Sequence, residues 1–146
     1  MSERAAVTAW EALFRAQVAV MRHLTAEFPA NDISFNEYDV MFNLSLQPGH
    51  ALRLKELNDH VLLTQPSISR LVDRLVSRNL VTKTPDATDG RGTIVSLTDD
   101  GFDVFRKIAR VHSKSITDRV GGSLDAAELA ELTRLSEKLR GNKKHA

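Results

Sequence analysis

The sequence of 146 residues contains no cysteine. This absence excludes disulfide bonds, thiolate metal sites and a cysteine nucleophile. The longest stretch without Asp, Glu, Lys or Arg runs from Val40 to Leu52, which is shorter than the roughly 20 residues of a membrane-spanning helix. No apolar segment follows a basic one near the N-terminus, so we expect a cytoplasmic protein without a membrane partner.

Motifs of the common enzyme classes are missing as well. The sequence has no glycine-rich phosphate loop, no G-x-S-x-G motif and no carboxylate pair beside a nucleophile. Its histidines, His23, His50, His60, His112 and His145, show neither H-x3-H nor H-E-x-x-H spacing. We therefore predict no enzymatic activity, no metal site and no cofactor.

The overall composition is that of an ordinary globular domain. Hydrophobic residues make up 42% and charged residues 27% of the chain, and its length fits a single domain over residues 1–146. The net charge is +1, from 20 basic and 19 acidic residues, so the total charge neither indicates nor excludes a nucleic-acid partner. Any basic surface must therefore be local.

Helical patterns occupy the first part of the chain. Apolar residues at three-to-four spacing predict a helix over about residues 4–28 that Pro29 ends. The S-x-x-E spacing at Ser34 is typical of a capping box and predicts a second helix, which ends before Pro48. A short third helix is predicted over Leu52–Val61.

A fourth helix is predicted with its cap at Thr64 and Pro66 in its first turn. Its apolar residues recur at helical spacing and form one inward stripe, Ile68, Leu71, Val72 and Leu75. At about 100° per residue, Arg70, Asp73 and Ser77 then point outward.

After Asn79 the pattern changes from helical to alternating. Two β-branched runs, 80–84 and 93–97, enclose a polar loop with two glycines and predict a β-hairpin. Thr98 is the predicted cap of a fifth helix, and Asp125 with Glu128 begins a sixth. The predicted fold is therefore mainly α with a small β-hairpin, arranged as a winged helix-turn-helix over about residues 34–98 with a wing at 80–98.

The terminal helices carry more apolar residues than this small centre needs. The stripe of the last helix consists of Leu129, Leu132, Leu135 and Leu139. We expect the two terminal regions, about 4–30 and 99–140, to form the interface of a homodimer, since a two-fold dimer presents two recognition helices to two half-sites of DNA.

Essentially the whole chain resembles the MarR (multiple antibiotic resistance regulator) family of winged helix-turn-helix transcription factors. The resemblance is densest from Leu54 to Gly101. There the helix-turn-helix sequence is followed by the wing pattern D-x-R-x5-L-T-x2-G, at Asp89, Arg91, Leu97, Thr98 and Gly101. Two residues depart from the family, because Leu62 and Asn79 stand where members often have glycine.

The resemblance implies a regulator, usually a repressor, that a small anionic or aromatic compound releases from DNA. Aromatic residues and one histidine are the candidate walls of a ligand pocket, Trp10, Phe14, His23, Phe35, Tyr38 and Phe42. At helical spacing the same residues are also typical of a hydrophobic core.

Hydroxyl groups and an arginine near the start of a helix suit base edges in the major groove. The candidate DNA-binding residues are Gln65, Pro66, Ser67, Ser69, Arg70, Arg74 and Arg91. Arg91 stands between two glycines in the wing and can enter a narrow minor groove, and the alternative is an ordinary turn arginine paired with Asp86 or Asp89. Asp89 and Gly90 are assigned to wing structure. The alternative for the fourth helix is a solvated face with an Arg70–Asp73 ion pair.

Three further basic residues, Arg53, Lys55 and Lys83, are candidates for phosphate contacts, with a solvated helix start as the alternative for the first two. We expect a homodimeric repressor on a pseudo-palindromic double-stranded operator. The alternative is a dimeric protein-interaction module on the same scaffold without specific DNA binding. Retention of Arg70, Arg74 and Arg91 favours DNA binding.

Overall fold

The computed structural model describes residues 2–29, 33–60 and 67–141. In chain order its elements are α1 (Glu3–Glu27), α2 (Phe35–Ser45), a 3-10 turn (Pro48–His50), β1 (Ala51–Arg53), α3 (Leu54–His60), α4 (Ile68–Ser77), β2 (Val81–Pro85), β3 (Thr93–Leu97), α5 (Asp99–Ile116), a π-helical turn (Thr117–Gly121) and α6 (Ala126–Arg140). The fold is mainly helical with a small antiparallel sheet, which confirms the predicted fold class. Within the described residues, no helix is both long and apolar enough to cross a membrane.

The chain forms two compact units. The terminal unit consists of Met1–Glu27 and His112–Ala146, and the winged unit consists of Phe28–Val111. The first part of α5 belongs to the winged unit because Phe105 and Ile108 lie in that unit's hydrophobic core. The interpretation of the whole chain as one domain stays a prediction.

The core of the winged unit receives side chains from α2, α3, α4, α5 and the sheet. Its fully buried residues include Val40, Met41, Leu44, Leu57, Val72, Leu75, Val81, Val95 and Ile108. The inward stripe predicted for α4 is confirmed, because all of its members are buried, Ile68, Leu71, Val72 and Leu75. The opposite side of this helix is consequently exposed, as predicted for Arg70, Asp73 and Ser77.

The helix caps are short-range features, and most of the predicted ones are present. Ser34 and Glu37 form the full capping box of α2, and Asp125 and Glu128 form that of α6. The cap of α4 was predicted wrongly, because Ser67 and not Thr64 precedes its first turn and accepts a hydrogen bond from the Arg70 N–H at 3.2 Å. Both are hydroxyl residues that can cap a helix, so local chemistry alone did not separate them. The predicted cap and Pro66 lie outside the described residues.

The sheet contains a strand that was not predicted. Ala51–Arg53 was assigned in part to the third helix, but it pairs antiparallel with β3, with Leu52 opposite Val95. The strand order is β1-β3-β2, so the predicted hairpin forms one side of a three-stranded sheet. A run of three residues is too short to show an alternating pattern, and it becomes a strand only by pairing with β3.

The segment after β3 is hydrogen-bonded to the residues that follow α4. Asn79 adopts the left-handed conformation with φ 60°, which asparagine tolerates well. Its carbonyl accepts a hydrogen bond from Thr98 Oγ1 at 2.7 Å, and the Thr98 N–H donates to the Leu80 carbonyl at 3.1 Å. Gly101 then lies so close that a Cβ atom there would be 1.9 Å from the Leu80 oxygen. Glycine at this position of the wing pattern therefore has a steric reason. The other departure from the family pattern, Leu62, lies outside the described residues.

Replacing Gly101 with alanine is expected to lower the free energy of unfolding by about 3 kcal/mol, at the upper end of typical overpacking costs. The reason is that the methyl group meets backbone rather than a movable side chain. Urea denaturation measures the change. The control is Gly90→Ala, because a Cβ at Gly90 meets nothing within 4 Å, and we expect a change of at most about 1 kcal/mol. Equal stability of Gly101→Ala and the wild type would contradict the packing described here.

Candidate nucleic-acid interface

The exposed side of α4 presents one cation without a partner among the described residues. The Arg70 backbone is held by the cap at Ser67, and its guanidinium makes no ion pair or hydrogen bond within the described part of the chain. Ser69 is exposed beside it. The alternative Arg70–Asp73 pair is not formed, because Asp73 accepts from Lys83 Nζ at 2.8 Å instead. The Arg70 guanidinium is thus available to an external acceptor.

The Lys83–Asp73 pair links strand β2 of the wing to α4. Both side chains are partly exposed to solvent, so the pair contributes at most about 1 kcal/mol to stability. Its main effect is on charge, because the ammonium of Lys83 is neutralised by a carboxylate of the same surface. The phosphate contact proposed for Lys83 stays a prediction.

Arg74 lies on the same helix but is directed toward α2. Its Nε atom is 3.9 Å from Oε1 of Glu37, a buried carboxylate. The same Oε1 accepts the backbone N–H of Ser34 in the capping box of α2. Arg74 therefore shares a carboxylate with the start of another helix, whereas Arg70 does not.

The wing loop is organised around Asp86, which the sequence indicates only as an alternative partner of Arg91 and which pairs with Arg53 instead. Its Oδ1 accepts hydrogen bonds from the N–H and the hydroxyl of Thr88, at 3.0 and 2.9 Å. Its Oδ2 lies 2.7 Å from Nε of Arg53, which belongs to β1. A usable signal was present in the sequence, since an Asp two residues before a Thr in a loop is typical of an Asx turn. Its ion-pair partner, more than thirty positions earlier, had no such signal.

The tip of the wing carries the predicted minor-groove arginine. Asp89 supports the tip, because its Oδ1 accepts the Arg91 N–H at 3.2 Å and its carbonyl accepts the Gly92 N–H at 2.8 Å. Gly90 has open space around it, whereas a Cβ at Gly92 would lie 3.1 Å from the Asp86 Cβ. The Arg91 guanidinium is exposed and has no partner among the residues described. The loop thus presents this side chain to solvent.

A polar groove of about 640 Å³ lies between α3, the start of α4 and the wing. Ser67, Ser69 and Arg91 all line it, so the structure brings together predicted residues from the helix and the wing. Lys55 and Asn58 of α3 lie on its other side. Two of the predicted DNA-binding residues, Gln65 and Pro66, fall outside the described residues.

The candidate ligand-pocket residues belong to two different units. In the winged unit, Tyr38 is buried and stacks on Phe105 with ring centroids 5.5 Å apart. Burial, with a smaller effect of Asp39, raises the Tyr38 pKa. Two neighbouring predicted residues, Phe35 and Phe42, belong to the same aromatic cluster. Tyr38 and Phe105 belong to the core of the winged unit, and Phe42 packs against it.

The remaining pocket candidates lie in the terminal unit. The rings of Trp10 and Phe14 contact each other on α1 with centroids 5.7 Å apart, and both side chains are more than half exposed. His23 Nε2 is 3.4 Å from Glu27 Oε1 one turn later. The ligand pocket stays a prediction. Among the described residues, no group of three or more His, Asp or Glu side chains is placed to hold a metal ion.

The sequence matches the model of a known protein family over most of the winged unit. The model of the MarR family matches residues 31–92, which include α2, α3, α4 and the first wing strand. The resemblance predicted from the sequence is thereby confirmed, and the arginines at positions 70 and 91 both lie within the matched MarR segment.

Solved structures, among them two MarR family transcriptional regulators, share the fold of this chain. Sco3205 from Streptomyces coelicolor, a MarR family transcriptional regulator solved in complex with DNA, matches with a TM-score of 0.82 and 22% identity over 99% of this chain and 92% of its own. AbsC from the same organism matches with a TM-score of 0.79 and 24% identity over 97% and 98%. BpsR from Bordetella bronchiseptica, whose DNA binding is regulated by 6-hydroxynicotinic acid, matches with a TM-score of 0.77 and 22% identity over 91% and 98%. These likenesses establish the MarR-type winged-helix fold.

The Asp86 carboxyl is expected to titrate below its ordinary pKa of 3.8, because hydrogen bonds from Thr88 and the charge of Arg53 favour the ionised form. A lowered folded-state pKa means that the carboxylate stabilises the wing above the ordinary value, and that this contribution is lost as the pH falls through the folded-state pKa. Carboxyl ¹³C NMR measures the midpoint. In Thr88→Val, which lacks the hydroxyl, the midpoint should move back toward 3.8. A wild-type midpoint above 3.8 would contradict this account.

Proposed function

We propose that this chain is a homodimeric transcriptional repressor that binds a pseudo-palindromic DNA site through α4 and the wing. One observation carries the proposal. Arg70 on α4 and Arg91 on the wing are exposed and unpartnered within the described residues. The neighbouring cations Arg53, Arg74 and Lys83 instead lie beside carboxylates of the chain. The surface therefore leaves two guanidinium groups for an external polyanion.

The two arginines suit different parts of a DNA duplex. A recognition helix places residues near its N-terminus against base edges in the major groove, where arginine pairs bidentately with guanine. Arg70 stands in the first turn of α4. An arginine at the tip of a wing suits a narrow minor groove, where the negative potential is enhanced. The structurally similar Sco3205 was solved in complex with DNA, which supports DNA binding by this fold.

Unpartnered apolar side chains support the homodimer. In the terminal unit, Trp10 and Phe14 on α1 and Leu132, Leu135 and Leu139 on α6 are each at least two-fifths exposed. Several large apolar side chains exposed on the same helices favour an interface over a monomer's surface. A second copy that covers these side chains also supplies the second recognition helix of a palindromic site.

A small aromatic or anionic effector is part of the same proposal. Its support is the likeness to BpsR, whose DNA binding is regulated by 6-hydroxynicotinic acid, an aromatic anion. The candidate residues remain Trp10, Phe14, His23, Phe35, Tyr38 and Phe42. Retention of the repressor–DNA complex in the presence of a panel of aromatic acids would count against this part alone.

The wild-type chain is expected to sediment as a dimer, at twice its 16.2 kDa mass, at micromolar concentration. Leu135→Asp should shift it toward monomer, because a carboxylate replaces an apolar side chain in the proposed interface. The matched control is Ala130→Asp, which adds the same charge on the opposite side of α6 and should leave the dimer intact. A folded wild-type monomer at this concentration would refute the dimer.

Arg70→Ala is expected to weaken binding to a selected operator by about 1 to 3 kcal/mol, with little effect on random DNA, if its guanidinium reads a guanine. Arg91→Ala should weaken binding most where the flanking minor groove is narrow and A·T-rich, and leave the preference at the half-site centre unchanged. The operator is obtained first by selection from random duplexes, and affinities are then measured by fluorescence anisotropy.

The control for both variants is Lys107→Ala, which removes a charge from an exposed position on α5 without changing the sequence of α4 or the wing. If both arginine variants bind the operator like the wild type, the DNA interface proposed here is wrong. The interpretation as a dimeric protein-interaction module would then be the better one.

A further inference from the structure

The buried carboxylate of Asp86 connects the wing loop to the rest of the winged unit. Asp86 is only 7% exposed, although it lies in a loop between two strands on the surface. Its Oδ2 lies 2.7 Å from Nε of Arg53, and Nη2 of Arg53 also donates to Thr88 Oγ1 at 3.3 Å. Arg53 is the last residue of β1, which pairs with β3. The loop is thereby attached to the edge of the sheet.

Asp86 also forms hydrogen bonds within the wing loop. The Asp86 N–H donates to the Gly92 carbonyl at 3.0 Å, while its Oδ1 accepts both the N–H and the hydroxyl of Thr88. Gly92 follows Arg91 directly, and its Cα faces the Asp86 side chain closely enough that an added Cβ would be 3.1 Å from the Asp86 Cβ. The backbone on either side of the wing arginine is thus held by contacts that converge on Asp86 and Asp89.

We propose that Asp86 is a positioning residue that holds the wing loop in the shape that delivers Arg91 to the minor groove, with Arg53 as its anchor on β1. This inference rests on the proposed function. Asp86 acts through Arg91 and makes no DNA contact of its own in the proposal. A loop that is ordered before binding loses less conformational entropy when the complex forms. The contacts of Asp86 therefore increase affinity without adding a contact to DNA.

A positioning role for Asp86 and simple electrostatics predict opposite changes in DNA affinity when Asp86 is removed. Removal of an acidic residue from a DNA-facing surface reduces repulsion by phosphates and frees Arg53, so it should raise affinity for all sequences. If Asp86 positions Arg91, its removal lowers affinity instead. The loss should be largest on the duplexes whose recognition depends on Arg91, which are those with narrow A·T-rich flanks.

The test compares Asp86→Ala with the wild type on two duplexes that share one selected half-site centre and differ only in A·T-rich or G·C-rich flanks. We expect a loss of about fivefold to tenfold on the A·T-flanked duplex, the size of one hydrogen-bonded interaction, and a smaller change on the other. Asp86→Asn keeps an acceptor for Thr88 and should lose less. The matched control is Asp103→Ala, which removes the same charge from an exposed position on α5 outside the wing and should not lower affinity.

A double-mutant cycle separates positioning from general destabilisation. In the Arg91→Ala background, Asp86→Ala should cause little further loss, because the side chain that it positions is absent. Thermal melts monitor folding, and amide hydrogen exchange at Arg91 and Gly92 should accelerate in Asp86→Ala. If that variant does not fold, Thr88→Val, which removes one of the Asp86 hydrogen bonds, takes its place in the cycle.

The outcomes distinguish the two proposals. A wild-type chain that selects no DNA sequence overturns the proposed function. A wild type that does select one, with an Asp86→Ala variant that keeps the flank dependence or binds more tightly, overturns the positioning role alone. Additive losses in the cycle also overturn it, because they show that Asp86 acts independently of Arg91.

Discussion

Burial of one side of α4 is the constraint on which the candidate site depends. Ile68, Leu71, Val72 and Leu75 leave water together, and each contributes about 1.5 to 3 kcal/mol to the stability of the winged unit. Rotation of the helix about its axis would expose this stripe. Since the stripe determines the orientation of α4, it also determines that Arg70 points outward.

The charges around α4 are divided between internal and external roles. Arg53, Arg74 and Lys83 could each have contacted DNA on sequence grounds, but each lies within 4 Å of a carboxylate of the chain. Arg53 connects β1 to the wing loop, Arg74 connects α4 to α2, and Lys83 connects β2 to α4. A count of basic residues therefore overstates the charge offered to DNA, while Arg70 and Arg91 stand apart from this internal pairing within the described residues.

Prediction succeeded where the interaction that decides the structure is local. The capping boxes at Ser34 and Asp125 join residues three positions apart, and the core stripe of α4 follows from helical spacing alone. The prediction of the α4 cap failed because two nearby hydroxyl residues suited that role equally well. A hydroxyl at position 64 and one at 67 both suit a helix cap, and the described helix uses the second. The strand at Ala51–Arg53 was missed for another reason, because its pairing partner lies about forty residues later.

The sequence by itself determined the order of the helices, the inward face of α4, the wing and the resemblance to the MarR family, because these depend on periodicity, caps and a motif of close spacing. Only the tertiary structure decided which cations pair internally, why Gly101 must be glycine, and that Asp86 rather than Asp89 carries the ion pair of the wing. The physical reason is distance along the chain. The Arg53–Asp86 contact joins residues more than thirty positions apart that the fold brings together, so no local pattern in the sequence encodes it.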